Sequence, residues 1–168
     1  YFTTRRFDLT ADGERIHTAT AGGLLCLSLS EPVLDYGNLL ALTGYITQNP
    51  KYVEEMYRRM VFNYLTDNKD DHCKKFSYLV RKDYNGKFLD KPSGKVGYIW
   101  HLAPAYDLTL CTEGYNGQHA TSVNSTGCPT LQDFIAVGAK IKMNEKRCRE
   151  IFDEVYQNCD DLLLNRIG

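Results

Sequence analysis

Apolar side chains recur at three- and four-residue steps through Val53, Met56, Tyr57, Met60, Val61 and Tyr64, the spacing that lines one face of an α-helix. Asn49 ahead of Pro50 supplies a cap and a first-turn proline whose missing N–H costs nothing there. Leu39, Leu40, Leu42 and Ile46 repeat the pattern over Tyr36–Thr47, and Ala21–Leu29 is apolar enough for a short helix. Further on, Thr130 with Asp133 three residues later opens a helix through Met143. Asn144 caps a last one, with Cys148, Ile151, Phe152, Val155, Tyr156, Cys159 and Leu163 as its apolar positions. Alternation marks strands at Phe76–Arg81 and Val96–His101, joined through a turn at Asn85-Gly86. Tyr1–Phe7, β-branched and aromatic, reads as an opening strand that turns at Asp12-Gly13. Gly114–Gly127, rich in Gly, Asn and Ser, reads as a mobile or ligand-facing loop. The prediction is a mainly α domain with a small β component: a helical core and one β-hairpin that carries the site at its ends.

At 168 residues, 43% hydrophobic and 24% charged, the chain suits one soluble domain with a single core. A formal charge of -1 exerts no global pull on nucleic acid. No basic recognition helix stands out either, which disfavours a DNA-binding domain. No apolar run approaches the roughly 20 residues of a membrane-spanning helix, and a cytoplasmic setting with no membrane partner is expected. The six cysteines form no CxxC pair, so they read as reduced, buried or idle thiols rather than as a zinc site or disulfide framework. An opening in mid-strand, without an initiator Met, is expected of a piece of a longer polypeptide.

The loop Asn68-Lys69-Asp70-Asp71-His72-Cys73-Lys74-Lys75-Phe76 crowds acids, a histidine and lysines between a helix and a strand. Phosphoryl transfer needs few parts: a carboxylate to orient the attacking hydroxyl, oxygen ligands for Mg2+, and a cation to spread the γ-phosphate charge. On that reading Asp70 faces the hydroxyl, His72 reaches a phosphate, and Asp107, just past the second strand, completes the set. The residue types also admit a plainer reading. Asp70-Asp71 can be a solvated turn or helix cap, Asp107 a turn former and His72 a surface histidine.

Three segments carry a resemblance. They are Met56–Asn63, the loop with Asn68, Asp70-Asp71-His72, Lys74 and Phe76, and Trp100-His101-Leu102-Ala103-Pro104-Ala105-Tyr106-Asp107-Leu108. In order and spacing they resemble the C-terminal domain of HipA-family serine/threonine kinases, whose pattern reads Asn-x-Asp-Asp-His-x-Lys-Asn-Phe and then Leu-x-Pro-x-Tyr-Asp. Arg6-Phe7-Asp8 is similar to the end of that family's interlobe hinge, and the likeness runs from Phe7 to Ile135. The resemblance implies a protein-kinase-like C-terminal lobe over residues 1–168, with 1–8 ending the hinge strand and the N-terminal kinase lobe outside this chain. It places Asp70 as the catalytic aspartate and Asp107 as the Mg2+-binding one, with Asp70 a further metal contact. Phe7, His72, Tyr106 and Asp107 fall at positions around ATP, while Asn63, Asn68 and Asp71 fall at scaffolding positions. The implied activity moves the ATP γ-phosphate to a protein serine or threonine, with aminoacyl-tRNA synthetases a known target class. The implied partner is a HipB-like helix-turn-helix antitoxin of a bacterial toxin–antitoxin pair.

One departure bears on function. Lys75 stands five residues after Asp70, where the family pattern has Asn. Asn offers a neutral oxygen to a second Mg2+, whereas Lys offers only a cation. Lys75 therefore points away, meets phosphate in place of a metal, or impairs the site. No Gly-rich phosphate loop is present, since Gly22-Gly23 and Gly114 with Gly117 lack the strand–loop–helix setting. This chain alone is expected to be inactive. Two classes follow: the catalytic lobe of a kinase, or an impaired scaffold that binds a nucleotide or partner.

Overall fold

The pattern centred on Met56 and Met60 resolves into a helix face buried in the core. In the computed structural model, which describes residues 1, 3–28, 33–82 and 98–164, helix α3 spans Pro50–Leu65, and the Asn49 side chain accepts from Lys51 N at 3.0 Å. Its Met56, Tyr57, Met60 and Val61 are fully buried. In chain order the elements are β1 Thr18–Thr20, α1 Ala21–Leu24, β2 Leu34–Asp35, α2 Tyr36–Thr47, α3, β3 Ser77–Lys82, β4 Tyr98–Leu102, β5 Thr121–Ser122, α4 Leu131–Lys140 and α5 Glu145–Leu164. Helix α3 packs between α2 and α5, and α4 closes against α5. Tyr36, Leu39 and Leu40 of α2 and Ile151 of α5 complete the centre of this helical core.

Strands β1, β3 and β4 form an antiparallel sheet in that order, with Thr18 opposite Leu79 and Leu79 opposite His101. The sheet rests on α2, where the buried Tyr78 hydroxyl lies 2.8 Å from Thr43 Oγ1. A second, parallel pair joins β2 to β5. Asp35 caps α2 by accepting from Gly37 N at 2.8 Å. Its other oxygen accepts from Ser122 Oγ and Ser125 N, both at 2.8 Å, which ties the region after β5 to the start of α2. Among the described residues, no helix is long and apolar enough to cross a membrane, and all six cysteines are unpaired.

The mainly α, few-stranded character agrees with the sequence reading, but several details differ. No strand forms over residues 1 and 3–7. A strand needs a neighbouring ladder; here Phe7 packs on Tyr106 instead, and Arg6 pairs with Asp8. The third sheet strand is β1, which the pattern did not mark. The first helix stops at Leu24, just past the Gly22-Gly23 pair, and the chain turns through Cys26 at φ 54. The Asn85-Gly86 turn lies outside the described residues. Tyr156 falls on the outer face of α5, 49% exposed. The stretch Gly114–Gly127 is no open loop at its centre, because Thr121 and Val123 are fully buried.

Close approach of α4 and α5 depends on Gly138. A Cβ there would overlap Cys148 Sγ, which is buried beneath it. We expect Gly138→Ala to destabilise the fold by about 1–3 kcal/mol through overpacking. Adding Cys148→Ala should recover part of the loss, and thermal melts of the two variants measure both effects.

Candidate functional site

The loop between α3 and β3 is held from three sides before any of its charged groups is placed. Asn68 N bonds to Asn63 O at 2.9 Å, at the end of α3. Lys69 N and O bond to Cys111 O and Ala120 N at 3.1 and 3.2 Å. Gly114, at φ +46, lets the chain pass over Lys69, where a Cβ would strike Lys69 Cβ and Gln118 O. Further along, Lys75 N bonds to His72 O at 2.9 Å, and the buried Phe76 accepts from Ala21 N through its carbonyl at 2.8 Å.

Beneath the loop runs a buried polar relay. Asn68 Nδ2 donates to Asn63 Oδ1 at 2.9 Å, Asn63 Nδ2 to the Tyr36 hydroxyl at 2.8 Å, and that hydroxyl to Asp71 Oδ2 at 2.9 Å. His119 Nδ1 lies 3.1 Å from the same oxygen, and Thr121 N donates to Asp71 Oδ1 at 3.2 Å. Thr121 Oγ1 also donates to the Asp71 carbonyl. The His119 ring stacks on Tyr64, with centroids 3.7 Å apart and planes 12° from parallel. The Asp71 side chain has no exposed surface, so these donors replace its hydration. Burial and the Asp71 charge push the Tyr36 hydroxyl well above its ordinary pKa, which keeps its proton available for donation.

Asp70, the residue before it, turns outward and is 44% exposed. The segment leaving β4 brings up the second carboxylate. Arg59 Nη2 donates to Ala103 O at 2.8 Å, and Tyr106 OH donates to Lys74 O at 2.6 Å, leaving Ser77 Oγ to donate to Tyr106 at 2.6 Å. These bonds fix the start of the turn, and Asp107 follows at φ 55, a left-handed conformation that Asp adopts more readily than most residues with a Cβ.

The Lys75 ammonium lies between the two carboxylates. It is 3.0 Å from Asp70 Oδ2 and in direct contact with Asp107 Oδ2. Its side chain is only 15% exposed. Partial burial lowers the Lys75 pKa, but the bonds to Asp107 and Asp70 outweigh it, so the group titrates above the usual lysine value. His72 stands to one side: Nδ1 accepts from Lys74 N at 3.3 Å, and Nε2 faces Asp70 Oδ1 at 3.8 Å. Beyond Tyr106 lies the Phe7 ring, centroids 5.3 Å apart. On the far side of Asp70 and His72 opens a cleft of about 180 Å³, walled by Leu27, Leu34, Cys73 and Lys69.

Asp70, His72, Tyr106, Asp107 and Phe7 are thus linked through successive contacts, and Lys75 joins the two acids. A divalent ion shared by Asp70 and Asp107 would need the place that the Lys75 ammonium fills. Among the described residues, no three His, Cys, Asp or Glu side chains converge as metal ligands would. Mg2+ is commonly held by one or two carboxylates together with phosphate oxygens; here the point that both acids face is taken by the Lys75 ammonium, so the set as arranged does not fit it. Sequence reasoning missed Tyr36, His119 and Thr121, which supply the donors around Asp71. No local pattern marks them, because they lie 35 to 50 residues from Asp71.

Comparison with known families matches residues 1–163 to the HipA-like C-terminal domain. The chain belongs to this family. A comparison with curated protein sequences finds no match. Among solved structures, the HipA-like domain is similar to a chain of the Shewanella oneidensis MR-1 toxin antitoxin system HipA, HipB and operator DNA complex. The TM-score is 0.67 at 17% identity, over 89% of this chain and 38% of that one. At that identity the likeness speaks for the fold, and the HipA-like domain spans well under half of the matched chain.

The relay makes a stability prediction. Asp71→Ala leaves Tyr36, His119 and Thr121 N without their shared acceptor, and should cost about 3 kcal/mol or more. Urea denaturation of the variant against the parent measures it.

Proposed function

We propose that this HipA-like domain is the C-terminal, protein-kinase-like lobe of a serine/threonine protein kinase that uses ATP, in a toxin–antitoxin setting. The observation that carries the reading is the convergence of Asp70 and Asp107 on one point from loops 37 residues apart in sequence (107 less 70). The family match and the HipA, HipB neighbour support it.

In this reading Asp70 accepts the proton of the acceptor hydroxyl as its oxygen bonds to the γ-phosphorus. The bond from that phosphorus to the bridging oxygen breaks, and ADP leaves. The exposed Asp70 oxygens border the cleft walled by Leu27 and Leu34, which gives the acceptor segment its approach. His72 lies within reach of the phosphates, and Phe7 with Tyr106 forms the edge against which the nucleotide would lie. Asp107 supplies the second carboxylate of the pair. The remaining nucleotide contacts would come from an N-terminal lobe outside this chain. The proposed partner is a HipB-like antitoxin, and the proposed substrate is a cytoplasmic protein such as an aminoacyl-tRNA synthetase.

Lys75 between the carboxylates favours a second reading, a lobe that binds nucleotide or partner without transfer. The two separate in one assay. With labelled ATP and the intact protein, Asp70→Asn and Asp107→Asn should each lower phosphate incorporation about 100-fold or more. Undiminished incorporation in both would exclude the kinase reading. Tight ATP binding without incorporation, together with transfer gained in Lys75→Asn, would establish the scaffold.

A further inference from the structure

We propose that the Lys75 ammonium is the resident cation of the Asp70–Asp107 pair, so that the site meets a nucleotide's polyphosphate without a divalent metal.

Both carboxylates aim an oxygen at Lys75 Nζ, and both belong to loops pinned independently of it. Two carboxylates that face one point repel each other, and a cation between them offsets that repulsion. Lys75 supplies that cation from within the chain. Its backbone is held by the bond to His72 O, and the next side chain, Phe76, is anchored in the core. Little translational freedom is therefore lost in keeping the ammonium there. A free divalent ion would have to expel it, breaking both contacts and leaving a like charge on a short tether nearby.

The ammonium has three donors. Two are directed at Asp70 and Asp107, and the third is available to an incoming phosphate oxygen. With one lysine against two aspartates, the trio carries a net charge of about -1 rather than the -2 of the bare pair, which weakens its hold on Mg2+ and its repulsion of phosphate alike.

The exclusion of metal stands on this geometry alone. The statement about nucleotide rests on the function proposed above. The test uses Mn2+ alone as the first probe, followed by paramagnetic resonance of the free ion, on the intact protein and on Lys75→Asn, Asp107→Asn and Lys75→Asn/Asp107→Asn. Lys75→Gln serves alongside Lys75→Asn, and thermal melts establish that each variant is folded. The parent should show no saturable Mn2+ site into the millimolar range. Lys75→Asn should gain one at least about tenfold tighter, lost again in the double variant. A saturable site in the parent that Asp107→Asn removes would overturn the proposal. The second probe is a fluorescent ATP analogue, titrated in EDTA and in Mg2+. Equal affinity in the parent, with Mg2+ dependence appearing in Lys75→Asn, supports the polyphosphate half. Binding to the parent only in Mg2+ overturns that half. No binding in either condition overturns it together with the nucleotide reading, while the Mn2+ result still decides the role of Lys75.

Discussion

A carboxylate with no exposed surface is tolerated only where donors surround it, and Asp71 is the point on which the rest of this structure depends. Its donors come from the start of α2 and from the segment that enters β5, and a relay through Asn63 and Asn68 extends the network to the end of α3. Because breaking any link leaves a buried polar group unpaired, the arrangement is close to all-or-none. The reward is positional. With Asp71 fixed inward, the residue before it has little choice but to face out, so Asp70 is presented to solvent from a rigid base.

The second half of the site is assembled by different means. Arg59 and Tyr106 hold the chain after β4 through its carbonyls and those of the facing loop, and Asp107 accepts a backbone conformation of limited appeal to a residue with a Cβ. The two carboxylates face one point, where their like charges repel. Lys75 resolves that conflict in the present arrangement, which explains why a residue that is only partly buried keeps its charge so firmly.

Much of the helical frame was legible in the sequence because its signals are local. Asn49-Pro50, the Met56–Met60 periodicity and Asn144 each act within a few residues, and the helices begin where they indicate. Asp70, Asp107 and the anomalous Lys75 were singled out through resemblance rather than periodicity, and the structure brings the three side chains together. What stayed hidden is non-local. Residues 1 and 3–7 have strand-like composition without a neighbouring ladder, while Thr18–Thr20 is a strand only because β3 lies beside it. The polar composition of Gly114–Gly127 suggested exposure, yet Thr121 is buried, since its hydroxyl and amide are spent on Asp71. Likewise, nothing within a window around His119 foretells a carboxylate 48 residues away.

The separation of Asp71 from its donors also has a kinetic side. Helices α2 and α3 are neighbours in sequence and can pair early, at small cost in loop closure. The acceptor at Asp71 is satisfied only when residues 119–121 arrive, 48 to 50 positions further along. Before then the α2–α3 hairpin offers Asp71 only the Tyr36 hydroxyl. Completion of the site therefore waits on a contact between distant parts of the chain, a loop-closure cost that the pairing of α2 with α3 does not carry.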